Sequence, residues 1–451
     1  MNGRWPRLGL RVMPFVLIAD LALSGAYVGR QLSVGPDRSR AHSPAAHFRP
    51  LPDQSTGAAD RARDRAIRDV LLARATAIRR HDRAGFMATL DPASAKFRAQ
   101  QVRYFANVQH VPFSTWSYTL DADNVAPSDG AQFLRYNAAV WLPHVVLHYE
   151  IAGFDRSPTA LDTYYTFVQR HRRWYIASDS DAASLAYTTA RDIWDFGPVS
   201  VVRRRNAIVL GHPDSRVSLA ALADEAQRDV PRVTKVWGRR WSQHIVVLAP
   251  DRQSELSKLL GDQGDLSQIA AVATAELVEA GQRTTPTGDR VLINPDNYRR
   301  LGVKGRQVVV THEITHVASR ASTGPVLPDW LIEGMADYVG YRELHTPPSI
   351  AAHELKVYLD QGHRAPGLPG DDDYAGANKH LALAYDESWL ACRFIAERWG
   401  QAALVRLYRA VGASTQGSEK AATDAAIRGV LHESLATFTR QWQTYVTAVL
   451  R

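Results

Sequence analysis

Thr311-His312-Glu313-Ile314-Thr315-His316, followed by Trp330-Leu331-Ile332-Glu333-Gly334-Met335-Ala336-Asp337, is the stretch from which the rest of the chain is read. Two histidines four apart on a helix project from one face, a turn apart, and both imidazoles can reach a single ion. The glutamate between them lies about 100° round the helix from its neighbour. It is off the ligand axis yet within reach of a water beside the ion, which suits a general base. Alone the spacing is short, and in a chain of this composition it arises by chance in roughly a few per cent of cases. The second segment supplies what is missing. A hydrolytic zinc site keeps three protein ligands and leaves one position open, so His312 and His316 demand a third donor, and Glu333 is the candidate. Gly324, Pro325 and Pro328 let the chain turn and return as a second helix beginning near Asp329. Asp337, four residues beyond Glu333 and so on its face, is placed to accept from the outer nitrogen of a ligand histidine, which fixes the tautomer and raises its basicity.

At 451 residues the chain exceeds one ordinary core, so two domains are expected. Its 45% hydrophobic and 22% charged residues are a globular composition. The formal charge of +8 is spread along the chain, with no basic stretch interleaved with aromatics, so it reads as solvated surface and no nucleic-acid partner is expected. Cys392 is the single cysteine, which rules out an intrachain disulfide and the cysteine-based zinc sites. It lies in the apolar helical run Trp389 to Ile395, where it reads as a small buried hydrophobe.

Arg4, Arg7 and Arg11 precede an apolar run from Val12 to Gly29, the layout of an export signal or of an N-terminal membrane anchor over residues 1–30. An extracytoplasmic protein, secreted or tethered, is expected. Residues 31–60 are rich in Pro, Ser, Ala and Arg without periodicity and read as a flexible linker. Helical periodicity begins near Arg61 with Ile67, Val70, Leu71, Ala75 and Ile78, and resumes through Phe97, Val102, Tyr104 and Phe105. Strands then follow over 116–120, 145–150, 163–168 and 173–177, which predicts an accessory α+β domain over 61–190. This order resembles the cone-shaped nuclear transport factor two-like fold. His144 and His148 share a four-residue spacing, but on a strand this marks one sheet face and reads as structural.

A second unit, residues 198–451, begins with the strand Val199 to Val202. An amphipathic helix is expected from Leu219 to Trp237 and an apolar strand from His244 to Ala249. Two neighbouring strands, 271–278 and 290–295, are expected on either side of a turn region Gly281 to Gly288. A helix from about Arg306 then carries the first segment, so the candidate site is backed by a sheet.

His-Glu-x-x-His followed by Trp-Leu-x-Glu-Gly-x-Ala-Asp resembles the gluzincin metallopeptidases, most closely their peptidase MA-like branch. The likeness extends to Tyr385-Asp386-Glu387-Ser388 through Trp399-Gly400, and to a closing helix from Ser434-Leu435 to Trp442 and Tyr445. It implies an α+β, thermolysin-like C-terminal domain that is a zinc-dependent peptidase acting on peptides or proteins. It also implies that His312, His316 and Glu333 hold zinc, with Asp337 behind His312 or His316. Glu313 would then be the general base toward a metal-activated water, later passing its proton to the leaving amine. Tyr385 is implied as the donor that stabilises the oxyanion, with His380 as the other possibility. The loop Gly367 to Asp373 is expected to line the cleft. The Gly-x-Met-Glu-Asn amine-recognition motif of the aminopeptidase N-like members is absent, and Ala275-Glu276-Leu277 substitutes for it poorly, which favours an endopeptidase. By the same likeness the sheet edge near Ala271 to Glu276 would pair with an extended substrate. The alternative is an inactive metal-binding or protein-interaction module displayed outside the cytoplasm.

Overall fold

The computed structural model describes residues 56–451 apart from 129–133, 262–268, 281–282, 375–377 and 379, with the backbone alone at 56, 276–280 and 283–286. The expected signal or anchor, residues 1–30, and most of the expected linker lie outside the described residues. Helix α1 runs over Thr56–Arg79, so residues 56–60 are helical rather than linker. Ala58 and Ala59 favour helix intrinsically, and Asp60 pairs with Arg63 at 2.8 Å one turn on. Among the described residues no helix is long and apolar enough to cross a membrane.

The first unit continues with α2 (Ala95–Val108) and strands β1 (Phe113–Val125), β2 (Ala139–Trp141), β3 (Pro143–Ile151), β4 (Thr159–Tyr164), β5 (Thr166–Arg170) and β6 (Arg173–Ser178). They form two antiparallel sheets, β1-β3-β4 and β2-β5-β6, and α1 packs against β1 and β6. Strand β3 alternates buried and half-buried positions along its length, as expected of a strand with one face on a core. The single strand expected at 163–168 is two strands in different sheets, with Tyr165 at the break. The hydrophobic pattern runs through that break, because both sheets bury the same side of the chain against α1.

The second unit is built on a five-stranded sheet of order β10-β11-β9-β8-β7, with β7 (Ser200–Arg203), β8 (Ala207–Gly211), β9 (Ile245–Ala249), β10 (Ala271–Ala280) and β11 (Arg283–Ile293). The central pairs β8–β9 and β9–β11 are parallel and the outer pairs antiparallel. Strand β8 has no counterpart in the sequence reading. Ala-Ile-Val-Leu-Gly is buried on both faces, so it lacks the alternation that marks a half-exposed strand. The expected turn at 281–288 is also shorter, since Ala280 already pairs with Arg283. Gly288 lies within β11 at φ +63°, where the pairing with β10 slips between Thr274 and Glu276. Its positive φ and a Cβ position 2.5 Å from Thr159 Oγ1 both require glycine there.

Helix α3 (Leu219–Trp237) matches its expected span and is capped by Ser218, whose side chain accepts from the Ala221 N–H. Then follow α4 (Val303–Ser319), α5 (Asp329–Tyr341), α6 (Leu381–Trp399), α7 (Gln401–Gly412), α8 (Glu419–Leu431) and α9 (Leu435–Leu450). Helix α4 lies between α3, α5 and the β10–β11 pair, and every residue from Val308 to Ser319 is buried. Helices α5 and α6 touch at Gly334, where an added Cβ would stand 2.2 Å from the Ser388 carbonyl and 2.8 Å from Cys392 Sγ. Cys392 is fully buried at this contact and burial pushes its thiol pKa up, as fits a packing residue. The two units share one contiguous apolar core. A buried fork of Arg290 Nη1 and Nη2 onto Asp155, at 2.7 and 2.9 Å, fastens them together.

Candidate metal centre

Two helix faces build the site. On α4, His312 and His316 stand one turn apart with ring centroids 4.7 Å from each other, and their Nε2 atoms approach to 2.9 Å. On α5, Glu333 turns Oε2 toward both, 3.3 Å from His312 Nε2 and 3.7 Å from His316 Nε2. One ligand atom from each of the three residues lies within 4.8 Å of the others, and all three residues are buried. The gap left by Gly334 brings α5 near enough to α6 to complete the wall behind them.

The donor set fits zinc. Tetrahedral ligands about 2.0 to 2.2 Å from a shared ion stand roughly 3.3 to 3.5 Å apart, close to the spacings found. Asp337 Oδ1 accepts from His312 Nδ1 at 2.7 Å, which leaves Nε2 of the neutral ring as the lone pair facing the cluster. Glu333 Oε2 is buried with no hydrogen-bond partner among the described residues, an acceptor that a cation would satisfy. The electrostatics agree. Burial opposes a charge on His312, yet Asp337, Glu333 and Glu313 outweigh it and hold its pKa well above the ordinary value. Burial, with the neighbouring His312 and Arg320, pushes His316 well below its ordinary value. Burial raises Glu333 to about 8 in spite of His312 beside it. The pocket therefore favours one positive charge at the point where the three ligand atoms meet.

Glu313 is 1% exposed, and Oε2 has no hydrogen-bond partner among the described residues. Burial lifts its pKa to about 7, opposed by His312 and by a backbone hydrogen bond at Ala273. That contact joins the candidate base to β10, the end strand of the sheet, and the sequence reading did not foresee it. Tyr385 on α6 is buried beside His312, ring centroids 6.4 Å apart. Burial, with the negative fields of Glu333 and Asp337, holds its phenol well above the ordinary value, so it stays protonated and able to donate. His380, the other sequence candidate, is exposed at the N-cap position of α6.

Residues missed in the sequence complete the surroundings. Tyr374 packs edge-on against Tyr385, centroids 5.6 Å apart, and its hydroxyl meets Ser388 Oγ. Asp371 Oδ1 accepts from the Asp329 N–H at 3.2 Å, so the acidic run caps the helix that carries Glu333. Arg320, at the C-cap of α4, pairs with Asp289 at 2.6 Å. Its place four residues after His316 was a visible spacing signal. Tyr374 and Asp371 carry no such signal, because their contacts depend on how the loop before α6 folds back.

Comparison with protein families finds no match, and comparison with curated proteins finds none. Among solved structures, a two-domain M1 zinc metallopeptidase, a point mutant bound to L-arginine, overlaps 61% of this chain and 58% of its own at 12% identity and a TM-score of 0.35. An M1 zinc metallopeptidase from Deinococcus radiodurans overlaps 55% of this chain and 52% of its own at 14% identity and a TM-score of 0.33. The chain thus spans a little over half the length of the solved structures it resembles.

Proposed function

We propose that the protein is a zinc-dependent peptidase, and that it cuts within peptide chains. The observation that carries this is the buried convergence of His312, His316 and Glu333 with Asp337 behind His312. The chemistry a zinc ion supplies in such a site is Lewis-acid polarisation of a carbonyl and a water made nucleophilic near neutral pH.

The chain's own groups take the remaining roles. Asp337 fixes the His312 tautomer. Glu313, with a pKa raised to about 7, is poised to take the proton of the attacking water and to hand it to the leaving amine. Tyr385, held protonated, donates to the carbonyl oxygen as it gains charge. The backbone of β10, in contact with Glu313 at Ala273 and at the end of the sheet, suits an extended peptide laid beside it. The charged-then-apolar start over residues 1–30 supports an activity outside the cytoplasm, secreted or tethered, with residues 61–190 as an accessory unit.

Glu313→Gln tests the assignment. The variant is expected to keep zinc and its fold while cleavage of a diverse peptide library falls by about 10²- to 10⁴-fold. Cleavage equal to wild type would remove Glu313 from the mechanism.

A further inference from the structure

Where α4 ends, a cavity of about 230 Å³ lies between the two units, bounded by Phe154, Arg156, Trp241, Thr287, Val317 and Arg320. Val317 and His316 are adjacent in sequence, so the cavity and the metal cluster lie on different faces of the same helix turn. Three donors in its wall have no hydrogen-bond partner among the described residues: Trp241 Nε1, Thr287 Oγ1 and Arg320 Nη2. Trp241 is 6% exposed and Thr287 7%. The acids that could serve them are engaged, since Asp289 holds Arg320 Nε at 2.6 Å and Asp155 is gripped by the Arg290 fork. Buried donors are left unpaired only at a cost, and a cluster of them in one hollow marks a place for an acceptor.

We infer that this cavity binds a carboxylate carried on a peptide. Arg156, Arg240 and Arg320 outnumber Asp155 and Asp289 in the wall by one, which matches a monoanion rather than a doubly charged phosphate. Indole, hydroxyl and guanidinium N–H or O–H groups converging on one volume suit a group with two acceptor oxygens. The apolar walls, Phe154, Val246 and Val317, suit the methylene stem or backbone that carries it. The junction is fixed by the Arg290–Asp155 fork and by Gly288 against Thr159, so the accessory unit supplies part of the wall. That the carrier is a peptide rests on the peptidase reading; the charge and donor count stand without it.

The test is calorimetric binding to the zinc-loaded full chain bearing Glu313→Gln, which reads binding and not cleavage. The probes are N-acetyl peptide amides with Glu or its Gln isostere, and the Gln peptide with a free C-terminal carboxylate. At least one carboxylate peptide is expected to bind roughly tenfold more tightly than the uncharged amide, and which one does identifies side chain or chain terminus as the source. The preference should vanish in Arg320→Met and shrink in Thr287→Val, which leaves the Arg320–Asp289 pair intact and so keeps the test valid if the first variant unfolds. Equal affinity for all probes, or a preference that survives both variants, overturns the proposal. Inorganic phosphate binding more tightly than acetate overturns the monoanion assignment.

Discussion

The two faces of the last turns of α4 are mismatched in opposite senses. On one, Glu333 Oε2 and Glu313 Oε2 are buried acceptors without hydrogen-bond partners among the described residues. On the other, Trp241 Nε1, Thr287 Oγ1 and Arg320 Nη2 are buried donors in the same condition. A folded chain satisfies nearly all such groups internally, so imbalance of one sign asks for a cation and of the other for an anion. Arg320 couples the two faces, because its field reaches Glu313 and His316 on the acceptor side while Nη2 faces the donor side. A residue that sequence spacing alone would assign to the metal helix therefore belongs as much to the junction between the units.

The comparison can be broken first on the acceptor side. Tyr385→Phe removes the phenolic donor without disturbing the three ligand atoms, so kcat is expected to fall by about 10²- to 10³-fold with zinc content unchanged. An unchanged kcat would move the oxyanion role elsewhere. Asp337→Asn is expected to weaken zinc binding by about 10- to 100-fold, read in a competition titration against a chromogenic chelator. An unaltered affinity would mean that His312 needs no partner at Nδ1.

A buried carboxyl outside both faces sharpens the contrast. Glu387 on α6 is 5% exposed, and burial, reinforced by Asp373 and Asp386, raises its pKa from 4.5 to about 9. Its folded pKa lies above the unfolded one, so the folded chain holds the proton more tightly. The stabilising contribution is therefore complete below about pH 4.5 and is lost as pH rises toward 9. Glu387→Gln should flatten the fall of Tm between about pH 5 and pH 9. A slope equal to wild type would show that this carboxyl ionises freely.

The sequence discloses the acceptor face and conceals the donor face for a physical reason. His312, Glu313 and His316 are fixed relative to one another by a single helix, and Glu333 and Asp337 by another, so their geometry follows from 3.6-residue periodicity and a short connection. The span of α3 was legible on the same ground, through its periodic apolar stripe and Ser218 cap. Strand β8 was not, because burial on both faces erases alternation. Nor was the split of β4 from β5, where a continuous pattern passes from one sheet to another. The donor face joins Phe154, Trp241, Thr287 and Arg320, which come from widely separated parts of the chain. The Arg290–Asp155 fork spans 135 residues, and no local pattern encodes a contact of that reach. Asp371 is instructive in the same way: its acidic run reads as a solvated loop, and only the fold turns it into the cap of the Glu333 helix.

The central claim is that the acceptor face holds one zinc ion through His312, His316 and Glu333. The most direct measurement is elemental analysis of the full chain, purified folded and without chelators, beside a His316→Ala variant of equal secondary-structure content. The account predicts about one zinc per wild-type chain and almost none in the variant. Folded wild-type protein without metal, or a variant that retains the full complement, would contradict it.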